Sequence, residues 1–204
     1  MTMYKLGLTG SIATGKSTAL AMFAHLGHRT FSADTAVHKL YEEKAVDLVG
    51  AAFPEAIRNK KVDRRALSDS LLAAPHRLKE LNDIVHPLVY SRIDGFMEQA
   101  RRTGARLVVV DIPLLFESER EHDFDGVAVT WCSARLQKRR ALARPGMSVE
   151  KFNTILALQL SQREKKSRAD FLIETNGTLE QTRQQVVRIA SLCLNPPPGE
   201  SAGS

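Results

Sequence analysis

Residues 10–18 read GSIATGKST. Gly10, Gly15, Lys16 and Ser17 fit G-x-x-x-x-G-K-[ST] without a gap, the pattern of a loop that grips phosphates. Glycine lets the backbone bend until successive N–H groups face one anion. A helix starting at the loop adds the positive end of its dipole. Ala13, Thr14, Gly15, Lys16, Ser17 and Thr18 would line the phosphates. Lys16 would reach the outer ones, and the Ser17 hydroxyl would take up a magnesium ion.

Two aspartates could supply the remaining chemistry. In open parallel sheets, ligands sit beyond the carboxyl ends of the strands. Asp34 closes the run TFSAD, and Asp111 falls near the end of LVVVDIPLLFE. A carboxylate facing a triphosphate can take a proton from an attacking hydroxyl or hold a metal ion. For Asp34 the alternative is a helix N-cap, with a helix beginning near Thr35. For Asp111 it is a structural bond to the neighbouring loop. His86 in VHPL stands before a proline that would start a helix; a structural role suits it better than a catalytic one.

Charge is uneven. Residues 135–168 carry ten Lys/Arg and two acids, net +8, while the whole chain is +6, leaving about −2 elsewhere. A local basic segment suits a local anion. Arg140 and Arg144 are four apart and would share one helix face. A hinged basic lid could lower them onto a transferring phosphoryl group. Most of the other charges read as a solvated face, with one of Lys165 and Lys166 as a further candidate.

These groups need a frame. Five apolar runs read as buried strands: 5–9, 30–33, 107–112, 127–131 and 171–173. LVVVDI is apolar almost throughout, as expected of a parallel strand covered on both faces. Strands alternating with helices give an α/β sheet. The gap from Asp34 to Gly104 is long and helical in pattern, which marks it as an inserted lobe. The expected organisation is a core of residues 1–34, 105–134 and 167–194, a helical acceptor domain at 35–104, a basic lid at 135–166 and a disordered tail at 195–204.

At 204 residues with 43% apolar content the chain can bury a substantial core. Cys132 and Cys193 lack metal-type spacing and read as buried thiols in a reducing compartment. The N-terminus does not look like a signal peptide, and no apolar run reaches the ~18 residues of a membrane span. A cytoplasmic protein without a membrane partner is expected. A GTPase is disfavoured: NKKVD at 59–63 is one residue too long for the guanine motif, and DFDG at 123–126 precedes a strand instead of following one.

Taken in order, GLTGSIATGKST, SADTAVHKLY, VDRRALS, IVHPLVYSRI, VVVDIPLLFE, QKRRALARPGMS and ILALQLSQREKKSRADFLIETNG resemble the dephospho-CoA kinase family. The resemblance runs from about Lys5 to about Gln185. It implies a P-loop kinase fold with a five-stranded parallel sheet core, a helical CoA-binding insertion and a lid. It implies ATP and Mg²⁺ as cofactors and transfer to the ribose 3′-hydroxyl of dephospho-CoA, the last step of coenzyme A synthesis. Asp34 matches the family's proposed base, Arg140 and Arg144 its lid arginines, Asn176 and Gly177 its turn near the adenine, and His86 its acceptor lobe. Asp111 would serve the metal or the acceptor. Two positions depart: Ser32 stands where the family often has a first Asp, and Ala13 where it often has Gly. The rival expectations are a kinase of another small molecule, such as a nucleoside or nucleotide, and a basic nucleic-acid-binding ATPase. The latter lacks aromatic stacking residues, since Phe152 alone falls in the basic segment; no nucleic-acid partner is expected. Oligomeric state is left open.

Overall fold

A computed structural model of the chain describes residues 2–195. The expected tail lies outside the described residues except for Asn195. The chain divides into two compact units, one of residues 1–31 and 99–204, the other Ser32–Glu98. The inserted unit thus starts three residues before the expected position 35 and ends six before 104. The basic segment 135–166 belongs to the first unit.

Unit one is built on five strands: β1 (Tyr4–Thr9), β2 (Arg29–Ser32), β5 (Leu107–Asp111), β6 (Gly126–Trp131) and β7 (Phe171–Glu174). Their order is β2-β5-β1-β6-β7, and the pairs β1–β5, β1–β6 and β6–β7 run parallel. Leu8 of β1 stands beside Asp111, and Thr9 beside Val129. β5 is buried at every residue, as its unbroken apolar run requires. One face carries α1 (Lys16–His25) and α9 (Leu179–Leu194), whose Ala19, Phe23, Val186, Ile189 and Cys193 close over Leu6, Leu8, Val109 and Ile173. Phe23 is fully buried; burying such a side chain contributes about 1.5–3 kcal/mol.

Three further helices make up the basic segment: α6 (Ala134–Leu142), α7 (Val149–Ala157) and α8 (Gln162–Ser167). Each starts on a serine whose hydroxyl accepts a backbone N–H of the first turn: Ser133, Ser148 and Ser161. Both cysteines are free and buried. Burial raises the Cys132 thiol pKa and pushes that of Cys193 up to about 12. No helix among the described residues is long and apolar enough to cross a membrane.

Unit two holds α2 (Ala33–Leu40), α3 (Ala45–Ala52), a hairpin of β3 (Ile57–Arg58) and β4 (Lys61–Val62), α4 (Arg64–Ala73) and most of α5 (Leu78–Arg102). Three points here add to the sequence expectations or change them. First, NKKVD supplies the turn and second strand of the hairpin: Asn59 and Lys60 sit at φ 49° and 58°, the paired left-handed geometry of a two-residue turn. Its Asp63 caps α4, accepting from Arg65 N (2.9 Å) and Ala66 N (3.1 Å). Second, Pro87 does not begin a helix but lies inside α5. An internal proline costs one ladder bond and ~3 kcal/mol. Leu81, Val85, Val89 and Ile93 repeat every four residues and are all buried, and their burial outweighs that cost. Third, β2 ends at Ser32 and α2 begins at Ala33, so Asp34 does not close the strand and is not the cap. The Ser32 hydroxyl accepts from Thr35 N (3.3 Å) and takes that place.

Candidate active site

β1 runs straight into the glycine loop, and the loop into α1. Gly10 passes so close to β6 that a Cβ there would lie 2.7 Å from the Thr130 carbonyl oxygen. Gly15 sits at φ 95°, and a Cβ would come within 3.0 Å of Thr175 Cγ2. Both positions therefore exclude a side chain. Gly15 is also the N-cap of α1 and offers no side-chain cap. The first N–H groups of the helix are left for an external anion.

The loop is braced from beneath. Thr14 is fully buried; its hydroxyl donates to Ser11 O (2.8 Å) and lies 2.9 Å from Thr130 Oγ1. Thr175 Oγ1 donates to Thr14 O (2.8 Å). The Thr14 side chain thus holds the loop and does not face a ligand. Ala13 occupies the left-handed region at φ 62°, with its methyl buried against Ala141 and Phe152. Ser17 and Thr18 are exposed at the start of α1.

Lys16 Nζ is 2.5 Å from Asp111 Oδ1, with the two side chains 11% and 3% exposed. Asp111 is the last residue of β5, beside the loop, as its place in the sequence required. Its position at the strand end joins it to the phosphate loop.

Arg140 donates from both terminal nitrogens to Thr175, to Oγ1 and to the carbonyl oxygen, each at 2.8 Å. Arg144 is not on the same helix face, because α6 ends at Leu142 with Ala143 as its cap. It sits in the turn that follows and is exposed. Both arginines nevertheless line one cleft of about 230 Å³ with Ala13, Gly15, Thr18, Thr175, Gly177, Leu179 and Thr182. The side chain of Asn176 is engaged elsewhere: Oδ1 accepts from Ser133 N (2.7 Å) and Nδ2 donates to Glu174 (2.6 Å). Neither lysine of the 165–166 pair lines the cleft. Lys165 is fully buried on Glu117 at 2.8 Å; desolvation lowers its pKa and the carboxylate opposes that. Lys166 lies over the Trp131 ring at 3.8 Å.

Asp34 and His86 belong to unit two. Asp34 is exposed in the first turn of α2. His86 is half-buried with its ring 5.6 Å from that of Tyr90. Burial lowers its pKa, and Asp83 opposes the shift. Unit two also has a cleft of about 580 Å³, lined by Glu42, Glu43, Asp47 and Lys60 among others. Its mostly acidic wall repels an anionic ligand, so its size carries no functional weight.

Sequence reasoning did not single out Thr130, Thr175, Gln137 or Gln159. Thr175 was within sight, since it stands between a strand and the Asn-Gly pair. Gln137 is buried one helical turn before buried Ala141, and a polar residue on an apolar face was the available signal.

A parallel sheet with a glycine loop, an uncapped helix behind it, a loop lysine on a strand-end carboxylate and two arginines over the cleft defines a P-loop kinase. A shikimate kinase from Acinetobacter baumannii shares the fold at TM-score 0.50 and 18% identity, covering 95% of this chain and 94% of its own.

The narrower relationship is to one family within that class. The family model for dephospho-CoA kinase matches residues 4–181, and the chain belongs to that family. The dephospho-CoA kinase of Brucella melitensis is 45% identical over 187 residues, 92% of this chain and 94% of that one. That of Rhizobium meliloti is 46% identical over 184 residues, 90% and 95% of the two chains. Among solved structures, TT1252 from Thermus thermophilus superposes at TM-score 0.80 with 33% identity, covering 94% of this chain and 99% of its own. The Campylobacter jejuni dephospho-CoA kinase does so at 0.68 with 28% identity, covering 92% and 96%.

Proposed function

We propose that the chain transfers the terminal phosphoryl group of ATP to the ribose 3′-hydroxyl of dephospho-CoA, giving coenzyme A and ADP. The observation that carries this is the uncapped α1 N-terminus behind a glycine loop whose lysine is held on Asp111, in a chain of the dephospho-CoA kinase family.

The triphosphate lies along the loop from Gly10 to Thr18. Lys16 exchanges Asp111 for the outer phosphates. Arg140 and Arg144 offset the charge that spreads over the phosphoryl oxygens, and Gly177 borders the nucleotide cleft. The Ser17 hydroxyl and the Asp111 carboxylate are hard oxygen donors and suit Mg²⁺; bound with ATP, the ion would neutralise phosphate charge.

Asp34 takes the proton of the 3′-hydroxyl as that oxygen attacks phosphorus, and ADP leaves with the bonding pair. Ser32 supports this assignment. By capping α2 it leaves the Asp34 carboxylate unused by the helix. The missing first carboxylate is thereby replaced by a structural hydroxyl. His86 is assigned to acceptor binding, and Asp111 to the metal more than to the acceptor.

The deciding experiment supplies purified protein with ATP and, separately, dephospho-CoA, adenosine or AMP, and follows ADP. Release with dephospho-CoA alone is expected, with phosphorus NMR placing the new group on the 3′ position. Turnover with adenosine or AMP, and none with dephospho-CoA, would make the chain a kinase of another acceptor.

A further inference from the structure

We propose that Gln137 and Gln159 are positioning residues that aim the peptides of the phosphate loop; the proposal rests on reading that loop as the ATP site. Both backbone groups of Ile12, at the crest of the loop, are held by these side chains. Ile12 N–H donates to Gln159 Oε1 (3.0 Å), and Ile12 C=O accepts from Gln137 Nε2 (2.9 Å).

A planar trans peptide ties each C=O to the following N–H in the opposite direction. Holding Ile12 N–H on Gln159 turns the Ser11 carbonyl the other way. There it accepts from Thr14 N (3.3 Å) and Thr14 Oγ1 (2.8 Å). Holding Ile12 C=O on Gln137 turns the Ala13 N–H away from Gln137. That N–H has no acceptor among the described residues, and Ala13 lines the cleft shared by Gly15, Thr18, Arg140 and Arg144. The two glutamines thus set adjacent peptides in opposite senses, one closing the loop on itself and the other presenting a donor to phosphate.

Gln137 is itself fixed. It is 4% exposed, and its Oε1 accepts from Gln162 Nε2 (2.8 Å). Gln162 Oε1 accepts from Cys132 N (3.1 Å), the residue after β6. A chain of side-chain amides therefore runs from the sheet to the loop crest. Ala13, Ala141 and Phe152 pack beside it. This combination makes 135–166 a brace for the phosphate loop, where the sequence had suggested only a basic flap.

The test is Gln137→Met, which keeps volume and removes the donor. Its ATP affinity, by calorimetry, is expected to fall about five- to tenfold, the value of one well-made hydrogen bond. The inhibition constant of adenosine against ATP and the KM for dephospho-CoA should hold, because neither reads the phosphate loop. Gln159→Met should act in the same direction and serves if Gln137→Met does not fold. Unchanged ATP affinity, or equal losses for ATP and adenosine, would overturn the proposal. Lys16→Ala in parallel separates the two layers: if it leaves ATP affinity intact, the loop is not the triphosphate site at all.

Discussion

The two units hold their candidate residues in opposite ways. In unit one Lys16 rests on Asp111, Arg140 on Thr175, and the loop crest between two glutamines, while Arg144 stands exposed at the cleft. In unit two Asp34 is exposed and makes no hydrogen bond or ion pair among the described residues, and His86 touches an aromatic ring. On the proposed assignment, the difference follows from the chemistry of each end. Polyphosphate is gripped mainly by backbone donors, which must be aimed before the ligand arrives. A base that takes one proton needs an unoccupied carboxylate, and a strong resting partner would compete with the substrate hydroxyl.

Asp34→Asn is the most severe way to break this contrast. The substitution keeps shape and removes only the proton acceptor. General-base assistance is worth about 10²–10⁴-fold, so kcat should fall by that factor while ATP affinity stays near wild type. If kcat is retained, the unpartnered carboxylate of unit two is only a surface charge.

His86→Gln probes the same unit more gently. Burial depresses the histidine pKa. A base with a lowered folded pKa stays neutral in the native state while the unfolded chain gains a proton. Its stability contribution is intact above the unfolded value of about 6.5 and declines as pH falls below it. Replacing it should shrink the loss of urea stability between pH 7.5 and pH 5.5. It should also raise the KM for dephospho-CoA a few-fold, about the value of one hydrogen bond. An unchanged KM with the expected acid response would make His86 purely a packing residue beside Tyr90.

The same contrast explains what could be read from residues alone. The phosphate loop was legible because its chemistry is local: two glycines, a lysine and a hydroxyl in fixed register, flanked by a strand and a helix. The central strands were legible because burial on both faces leaves apolar runs such as 107–112, whereas β2, with no buried residue, leaves only a weak one. The hairpin at 57–62 was not, since two-residue strands are too short to show alternation. Pro87 misled because its helix-breaking tendency is local, whereas the stripe at 81, 85, 89 and 93 that carries the helix past it spans more than three turns. Arg140 and Arg144 were placed on one face by spacing, but the helix ends between them and a cleft reunites them. The glutamine brace depends on which residues meet across more than a hundred positions, and no local pattern encodes that.

Ala13→Gly gives the smallest effect and asks how tightly the loop is made. At φ 62° an alanine carries about 1–2 kcal/mol of left-handed strain that glycine would relieve. Glycine would also return about 0.4–1 kcal/mol of chain entropy to the unfolded state. It would remove one methyl buried against Ala141 and Phe152, about 0.8 kcal/mol. Gain and losses nearly offset, so the net change should stay within about 1 kcal/mol by urea unfolding, with kcat retained. This balance explains why alanine is tolerated where a more flexible residue would fit. A stabilisation well beyond that range would mean the methyl contributes little packing. A destabilisation beyond it, with weaker ATP binding, would show that the methyl seats the brace on the loop and that the preset geometry of unit one depends on it.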